Sequence, residues 1–473
     1  MIRYKNGVKA VTFCTVAVIL FSCTYKVFSW KDTGGGYLSS MKTFYGLERD
    51  VVDVLFLGSS HCYCSINPAV LWEKYGIAAF SLSISGQDLA SSYHCMKEAL
   101  KTQQPRVVCV EMYYTNFHGY QIKGNMYRNL LGYQISQNFA DAVGDIAEAE
   151  EVRELLLKWP IIHTRYAELT EKDFRQDEMM RTYIGHAGGF YGENIEEISV
   201  YQGEEQIAIG EEEEIWLERI FDLAEEKGVE LCFFLAPFGA DEETQMRYRY
   251  VESLAEAHQV PFLNLIALHQ ELGLDVEQDF TDTGHTNSYG ALKVSDHLGG
   301  YLSERYELQD RRGDERYRLW EENLLIWNHQ MQNRSLQQTA DLGAYLDAVK
   351  MYRDDYIYIV FSQGEYLAEA EDLADRLEGV GIGEEFFDRE GVWVIEDGTV
   401  LYQTVGEDCF RHMRIGGSDL LINRDGDELQ IVIDRQEYGK ASQGIDIIVY
   451  DKALGQIVDE VGFQALREYI CVR

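Results

Sequence analysis

The sequence predicts an α/β protein: a membrane helix, then a doubly wound parallel sheet, then a smaller mixed α/β domain rich in strands. Short apolar runs alternate with amphipathic helical segments from about residue 51 to residue 306, as expected of strands and helices in a parallel sheet. An apolar run follows a basic N-terminus. After residue 352 the pattern changes to alternating strands with a hairpin signal at Glu396-Asp-Gly398.

Residues 1–32 are predicted to form a cytoplasmic tip and a transmembrane signal anchor. Three basic residues precede the apolar run Ala10–Tyr25, and Lys26 and Trp30 close it. This run is short for a membrane helix. The hydrophobic reach can extend beyond it, because lysine side chains snorkel and tryptophan favours the interface. The basic residues place the N-terminus in the cytoplasm and the rest outside. A cleaved signal peptide is the alternative, although no small-x-small site is evident.

The first strand ends in a turn that can expose a nucleophile. The apolar run Val51–Leu57 is followed by Gly58 and by the hydroxyl residues Ser59 and Ser60. Such a run suits a buried parallel strand whose carboxyl edge carries a functional loop. Gly-Ser-Ser is also ordinary turn chemistry, so the motif needs partners before it indicates catalysis.

Asp282 and His285 are the candidate partners of that serine. A serine nucleophile needs a histidine to accept its proton and a carboxylate to orient the histidine. Three residues apart in a turn, the two side chains can share one face. The alternative is that Asp282 is a helix N-cap and His285 a surface residue.

The elements between these motifs alternate as a doubly wound sheet requires. Asn67 and Pro68 are typical of a helix start. The predicted order is: helix from 67, strand 79–84, helix 88–101, strand 107–111, helix from 211, strand 229–235, helix 242–258, strand 262–265 and helix 287–304.

An insertion, 113–209, interrupts the alternation. Insertions over the mouth of such a sheet commonly carry specificity. Its aromatic residues could stack on sugar rings or could equally be ordinary packing; they include Tyr113, Tyr114, Phe117 and Tyr191. We read 33–308 as the first domain, with this insertion, 309–351 as a helical linker and 352–473 as the second domain.

Composition excludes several classes of partner. The 80 acidic and 42 basic side chains give a formal charge of −38, which repels nucleic acid. No group of His, Cys, Asp and Glu has metal-ligand spacing, so we expect no metal and no cofactor. His61 is interpreted as a satisfied or solvated histidine and not as a ligand.

The two motifs resemble those of the SGNH/GDSL hydrolases, whose fold is flavodoxin-like. Gly58-Ser59-Ser60 stands where that family has Gly-Asp-Ser, and Asp282-Thr-Gly-His285 matches its terminal Asp-x-x-His. The resemblance, over about 53–306, implies a triad of Ser60, His285 and Asp282. It also implies that the backbone N–H groups of Ser60 and Gly86 bind the oxyanion.

The sequence departs from that family in two blocks. The Asp and Leu of the nucleophile motif are Ser59 and His61, and the third-block Gly-x-Asn-Asp is absent. Asn116 is a candidate for the missing oxyanion donor. Membrane-anchored proteins similar to this one include polysaccharide O-acetyltransferases and the D-alanyl transfer protein of teichoic acid synthesis, which implies a membrane-bound acyl-donor partner.

The C-terminal stretch, about 352–473, resembles the PANDER-like domain of the interleukin-like EMT inducer. The closest part runs from Gln443 to Phe463. The resemblance implies lectin-like sugar recognition, with a purely structural domain as the alternative. The sequence therefore predicts a membrane-anchored esterase or O-acyltransferase, with transfer slightly favoured. Its expected substrates are acyl esters, with acetyl as the favoured acyl group, of a cell-surface or extracellular glycan. A non-catalytic glycan-binding or assembly protein is the alternative.

Overall fold

The chain forms two compact units, Met1–Leu324 and Leu325–Arg473. The structure is a computed structural model, and it describes residues 2–29, 37–116, 130–169, 171–174, 184–193, 195–364, 373–383, 390–426, 428–441, 443–465 and 469–473.

The first unit alternates strands with helices. Its helices are α1 (Ile2–Phe28), α2 (Tyr37–Tyr45), α3 (Ser60–Ser65), α4 (Pro68–Tyr75), α5 (Leu89–Ala99), α6 (Gln137–Ile146), α7 (Val152–Leu157), α8 (Trp159–Ile162), α9 (Glu211–Lys227), α10 (Glu242–Ala257) and α11 (Ser288–Tyr306). Its strands are β1 (Val54–Leu57), β2 (Ala79–Ser81), β3 (Val107–Glu111), β4 (Glu230–Leu235), β5 (Phe262–Asn264), β6 (Phe280–Asp282) and β7 (His285–Thr286).

Five of these strands form a parallel sheet in the order β2-β1-β3-β4-β5. Alternate residues of β1 belong to different apolar clusters: Leu55 and Leu57 pack in one, Val54 and Phe56 in the other. The first cluster contains residues of α2, α5, α9 and α10, and the second contains residues of α3, α4 and α11. Both faces of the sheet are therefore covered by helices, which is why its strands are mainly apolar.

Side-chain caps fix where several helices begin. Asn67, Asp88, Asp241 and Asn287 each precede a helix, and their side-chain oxygens accept backbone N–H groups of the first turn. Gly228 ends α9 in the left-handed conformation, at φ 67°. These residues explain why most predicted helix boundaries agree with the structure within a few residues.

Helix α1 carries the apolar N-terminal segment. Its window Val11–Phe28 has 18 residues with a mean hydropathy of 1.8, and none of it is buried in the protein. In the part of the chain that the structure describes, this helix is long and apolar enough to cross a membrane. The helix continues past Lys26, so the apolar segment is longer than the sixteen-residue run suggested.

The second unit is built mainly of antiparallel strands. Its elements are the end of α12 (Arg318–Gln338), α13 (Leu342–Met351), β8 (Tyr356–Gln363), α14 (Leu373–Gly379), β9 (Gly391–Glu396), β10 (Thr399–Val405), β11 (Cys409–Ile415), β12 (Ser418–Asp425), β13 (Glu428–Ile433), β14 (Gln436–Tyr438), β15 (Gly444–Asp451), β16 (Gln456–Ala465) and β17 (Tyr469–Val472). A six-stranded sheet has the order β10-β9-β8-β15-β16-β17, and a four-stranded sheet has the order β11-β12-β13-β14.

The six-stranded sheet is the middle layer of this unit. Tyr358 and Val360 of β8 pack on one side with residues of α13 and α14, and Ile357 and Ile359 pack on the other with the four-stranded sheet. The predicted β9–β10 hairpin is present, with Asp397 and Gly398 at positive φ.

The α/β class, the parallel sheet and the β-rich second part agree with the sequence analysis. That the sheet is the doubly wound arrangement of SGNH hydrolases in particular stays a prediction. The predicted domain limits, including the linker 309–351, also stay predictions. Helix α12 runs through the division between the units: Trp320 is buried in the first core and Leu336 in the second.

Candidate active site

The turn after β1 places a serine at the carboxyl edge of the sheet. Gly58 leaves the strand with φ 151°, and a Cβ there would lie 2.6 Å from Cβ of Glu111 on the neighbouring strand β3. Only glycine allows this approach without displacing β3. Ser59 then caps α3, because its Oγ accepts the backbone N–H of His61, and Ser60 becomes the first residue of that helix.

Asp282 and His285 lie at the ends of the short strands β6 and β7, which pair with each other. Asp282 Oδ1 accepts the backbone N–H of Gly284 at 2.8 Å, which fixes the turn between them. The imidazole Nδ1 of His285 lies 2.9 Å and 3.1 Å from the two carboxylate oxygens of Asp282. The aspartate orients the ring and favours the tautomer with its proton on Nδ1.

The structure brings the two distant motifs into contact. His285 Nε2 lies 2.7 Å from Oγ of Ser60, within hydrogen-bonding distance. With Nδ1 protonated, Nε2 is free to accept the proton of the Ser60 hydroxyl. The Asp282 side chain is 50% exposed and that of His285 is 28% exposed, so solvent reaches this hydrogen-bonded series.

Two further contacts join the halves of the site. Ser65 Oγ, at the end of α3, lies 2.9 Å from Oγ1 of Thr286. The backbone N–H of Asn67 donates to Oγ of Ser295 on α11 at 2.7 Å. These bonds hold α3 against β7, which carries His285, and the residues after α3 against α11.

The glycine-rich end of the insertion lies between α3 and α11. His186 Nδ1 lies 3.0 Å from the carbonyl oxygen of Tyr63, and Ser288 Oγ donates to the carbonyl of Gly188 at 2.8 Å. Burial lowers the pKa of His186 to about 4, against the opposing effect of its carbonyl partners, so the ring is neutral near pH 7. His186 therefore has a structural contact with the helix that begins at Ser60.

A buried carboxyl group lies directly behind the serine turn. Glu111, at the end of β3, accepts the Ser59 hydroxyl at 3.1 Å and the backbone N–H of Tyr113 at 2.9 Å. Burial raises its pKa to about 8, although these donors, with the backbone N–H groups of Ser59 and Ala236, favour the charged form. Ser59 thus links this carboxyl group to the start of α3.

His61 differs from its sequence interpretation. Its ring stacks on Tyr113 with centroids 3.6 Å apart and lies 4.7 Å from the ring of His285. Its Nδ1 is buried without a hydrogen-bond partner, so it is neither fully satisfied nor solvated. Burial, followed by the nearby charge of His285, lowers its pKa, and a neutral ring fits this environment.

The predicted oxyanion donors have different surroundings. Gly86 is in a turn at φ 73°, two residues after Ile84, whose N–H donates to the carbonyl of Gly58. The amide of Asn116 donates to Oγ1 of Thr244 at 3.0 Å and accepts from Arg247 at 3.0 Å. Asn116 is thus held by α10, and the oxyanion roles of both residues stay predictions.

The aromatic residues of the insertion have separate environments. Tyr113 and Tyr114 pack against each other beside His61, whereas Tyr191 is 78% exposed. Phe117 lies outside the described residues. Within the described ranges there is no group of three His, Cys, Asp or Glu residues that could hold a metal ion.

Comparison with known proteins gives little further information. No family model matches the chain, and no curated protein matches it. A solved Bacteroides fragilis structure, described as a "putative acylhydrolase", is similar over 58% of this chain and 99% of its own, with 10% identity and a TM-score of 0.29. A similarity this low carries no argument about function.

Sequence reasoning missed two residues that support the site. Glu111 is predicted only as the end of the strand 107–111, and no motif singles out His186. A charged residue inside an apolar parallel strand is itself an unusual signal, because buried carboxyl groups need partners. His186 had no comparable signal, since its partners are backbone carbonyls.

Proposed function

We propose that this protein is a membrane-anchored serine enzyme of the SGNH type that cleaves or transfers acyl esters of a cell-surface glycan. The observation that carries the proposal is the series Ser60 Oγ to His285 Nε2, 2.7 Å, and His285 Nδ1 to Asp282 Oδ1, 2.9 Å. A nucleophile, a base within hydrogen-bond reach and a carboxylate that orients the base are the geometric requirements for acyl transfer.

The proposed reaction has two halves. Ser60 Oγ attacks the ester carbonyl carbon while His285 Nε2 takes the hydroxyl proton, and Asp282 stabilises the imidazolium. The backbone N–H groups of Ser60 and Gly86 would donate to the oxyanion. The tetrahedral adduct breaks its bond to the alcohol oxygen, which receives the proton from His285, and the acyl group remains on Ser60.

The second half determines whether the enzyme hydrolyses or transfers. Water or a glycan hydroxyl attacks the acyl-serine and gives its proton to His285. The adduct then breaks its bond to Ser60 Oγ, which receives that proton from His285, and a carboxylic acid or a new ester is released. Transfer is slightly favoured by the resemblance to anchored O-acetyltransferases. Because Asp282 is half exposed, water can reach the site, which supports hydrolysis as the competing reaction.

The remaining parts of the proposal rest on separate observations. Helix α1 is the proposed anchor, with the N-terminus in the cytoplasm and both units outside. The second unit is the proposed glycan-recognition domain, on its resemblance to the interleukin-like EMT inducer. The alternative, a non-catalytic glycan-binding protein, is disfavoured by the short Ser60–His285 distance.

The test is hydrolysis of a small aryl acetate by the wild type and by Ser60→Ala. We expect a loss of roughly 10³-fold or more in kcat. Ser253→Ala, which removes a hydroxyl that bonds within α10, is the matched control and should leave turnover unchanged. Equal turnover by folded wild type and Ser60→Ala would overturn the triad and move the function to glycan binding.

A second measurement separates transfer from hydrolysis. Adding a monosaccharide or oligosaccharide alcohol to the same reaction gives an acyl sugar if the acceptor reaches the acyl-serine. Free acetate as the sole product at all acceptor concentrations would favour the esterase.

A further inference from the structure

The segment 152–174, which we call the collar, connects α1 to the body of the first unit. It contains α7, α8 and the short 3-10 helices His163–Ala167 and Glu171–Phe174, and residue 170 lies outside the described residues. No role follows for it from the proposed chemistry. Its contacts and its exposed side chains indicate a role separate from catalysis.

The collar is tied firmly to the C-terminal end of α1. Nη1 of Arg165 donates to the carbonyl oxygens of Phe28 and Ser29, both at 2.8 Å, so it caps the end of the helix. Arg165 is buried and paired with buried Asp173 at 2.9 Å. A bonded, paired and buried guanidinium makes this a defined junction.

Trp159 packs along the side of the same helix. Its ring centroid lies 5.8 Å from that of Phe28 and 5.1 Å from that of Phe21. Seven residues of helix separate the two phenylalanines, which is about 10 Å along the axis. If α1 spans a bilayer, Trp159 therefore lies at the depth of the headgroups and the first acyl carbons, which tryptophan favours.

The other side of the collar is fixed to the protein body. Leu155 and Ile162 are fully or almost fully buried. Lys158 is buried at φ 54°, and its Nζ donates to the carbonyls of Leu131 and Tyr133 at 3.0 Å and 2.6 Å. The collar therefore has two sets of contacts, one with the anchor and one with the body.

The outer face of the collar is apolar and exposed. Leu157 is 59%, Tyr166 74% and Phe174 68% exposed, and Leu156 is 38% exposed. Outside α1, no other stretch of similar length among the described residues exposes so many large apolar side chains. Phe21, which belongs to the exposed apolar surface of α1, contacts Trp159 of the same collar.

We infer that the collar lies in the outer interface of the membrane, with Leu156, Leu157, Tyr166 and Phe174 inserted among the lipids. The inference rests on the proposed anchoring by α1. Residues 152–174 contain four acidic and four basic side chains, a formal charge of zero. Insertion is thus driven by apolar burial and does not require anionic lipid.

The consequence for the proposed function is orientation. A flexible anchor would let the first unit point in any direction, whereas a collar fixed to the anchor, the body and the lipid holds the unit at one angle. The collar would set the height of Ser60 above the bilayer, and so the part of a surface glycan that it can reach.

The test is photocrosslinking of the full-length protein in phosphatidylcholine nanodiscs. A benzophenone amino acid is placed, one position at a time, at Leu157 or Tyr166 in the collar, at Val18 in α1, and at Tyr191, an exposed tyrosine near the proposed site. We expect lipid adducts from both collar positions and from Val18, none from Tyr191, and equal yields when a third of the lipid is anionic.

Each other outcome overturns the inference in its own way. Adducts from Val18 alone would leave the anchor and remove the collar from the membrane. No adduct from Val18 would remove the anchor and the collar together. Crosslinks from Leu157 and Tyr166 to protein would assign the face to a protein contact, and aryl acetate turnover, measured on each sample, reports separately on the catalytic proposal.

Discussion

At the scale of single residues, the proposed chemistry depends on where the protons lie around His285. The Asp282 carboxylate can only accept a hydrogen bond, so it holds the Nδ1–H tautomer and leaves Nε2 as an acceptor for Ser60. Asp282 therefore only accepts a hydrogen bond from Nδ1, and Ser60 can donate its proton to Nε2.

Asp282→Asn should keep this geometry and reverse the direction of the hydrogen bond to His285 Nδ1. The amide can donate to Nδ1, which puts the ring proton on Nε2 and prevents it from accepting the Ser60 proton. We expect kcat for an aryl acetate to fall by roughly 10²- to 10⁴-fold with little change in stability. Asp222→Asn, an exposed helix residue, is the control; an Asp282→Asn enzyme with wild-type kcat would contradict the assigned role.

Glu111 should give the protein a characteristic pH dependence of stability. Its pKa is raised from about 4.5 unfolded to about 8 folded, so between these values the folded state holds a proton that the unfolded state has lost. The free energy of unfolding should therefore fall as pH rises from about 5 to about 8 through this group. Glu111→Gln should flatten that slope in denaturant titrations.

Glu256→Gln, on the exposed side of α10, is the control for this measurement. It should retain the wild-type slope, since it removes only an exposed carboxyl group and leaves the buried Glu111 in place. Identical slopes in the wild type and in Glu111→Gln would show that another group is responsible.

At the scale of elements, the site depends on a turn that can be predicted from the sequence. It also depends on packing between strands, which the sequence predicts poorly. Gly58, Ser60, Asp282 and His285 could be singled out because glycine, small hydroxyls and Asp-x-x-His have recognisable spacing. Glu111 stands out only as a charged residue in an apolar strand, and its contact with Ser59, from the turn after another strand, is visible only in the structure. What the sequence does not predict is therefore contacts between distant parts of the chain, and not local structure.

Gly58→Ala should damage both the fold and the site. The added Cβ would lie 2.6 Å from that of Glu111, and φ 151° is strained for any residue with a side chain. We expect the protein to lose roughly 2 to 4 kcal/mol of unfolding free energy and most of its turnover. Denaturant unfolding and aryl acetate hydrolysis measure the two effects.

Gly144→Ala is the matched control. This glycine lies within α6, and nothing lies within 4 Å of a Cβ built there. The substitution should be neutral or should stabilise the protein by about 0.5 to 1 kcal/mol. Equal behaviour of the two variants would contradict the close approach of the β1 turn to β3.

At the scale of the whole molecule, two features of the chain could be anticipated and one could not. The parallel sheet and the β-rich C-terminal part follow from hydrophobic periodicity. The course of α12 does not, because a charged helical stretch shows no sign of which core each of its turns will join. Only the tertiary structure shows that Trp320 belongs to the first core and Leu336 to the second.

The formal charge of −38 should make stability sensitive to salt. Excess like charge destabilises the compact state, and at 0.1 M salt interactions between exposed charges are screened beyond about 10 Å. We expect Tm to rise when sodium chloride increases from about 0.01 M to 0.3 M, and to rise similarly with choline chloride. A fall in Tm, or a rise with one cation only, would contradict general charge repulsion.

The separation of the two halves of the site along the chain has a consequence for when the proposed chemistry can begin. His285 follows Ser60 by 225 residues, and at 5 to 20 residues per second that interval lasts roughly 10 to 45 s during synthesis. Throughout that time an emerging serine has no base. If the unit is exported as proposed, chemistry would begin only after the strand pair carrying His285 has crossed the membrane. A chain stalled or truncated before His285 would then be inert towards esters inside the cell and on the way out.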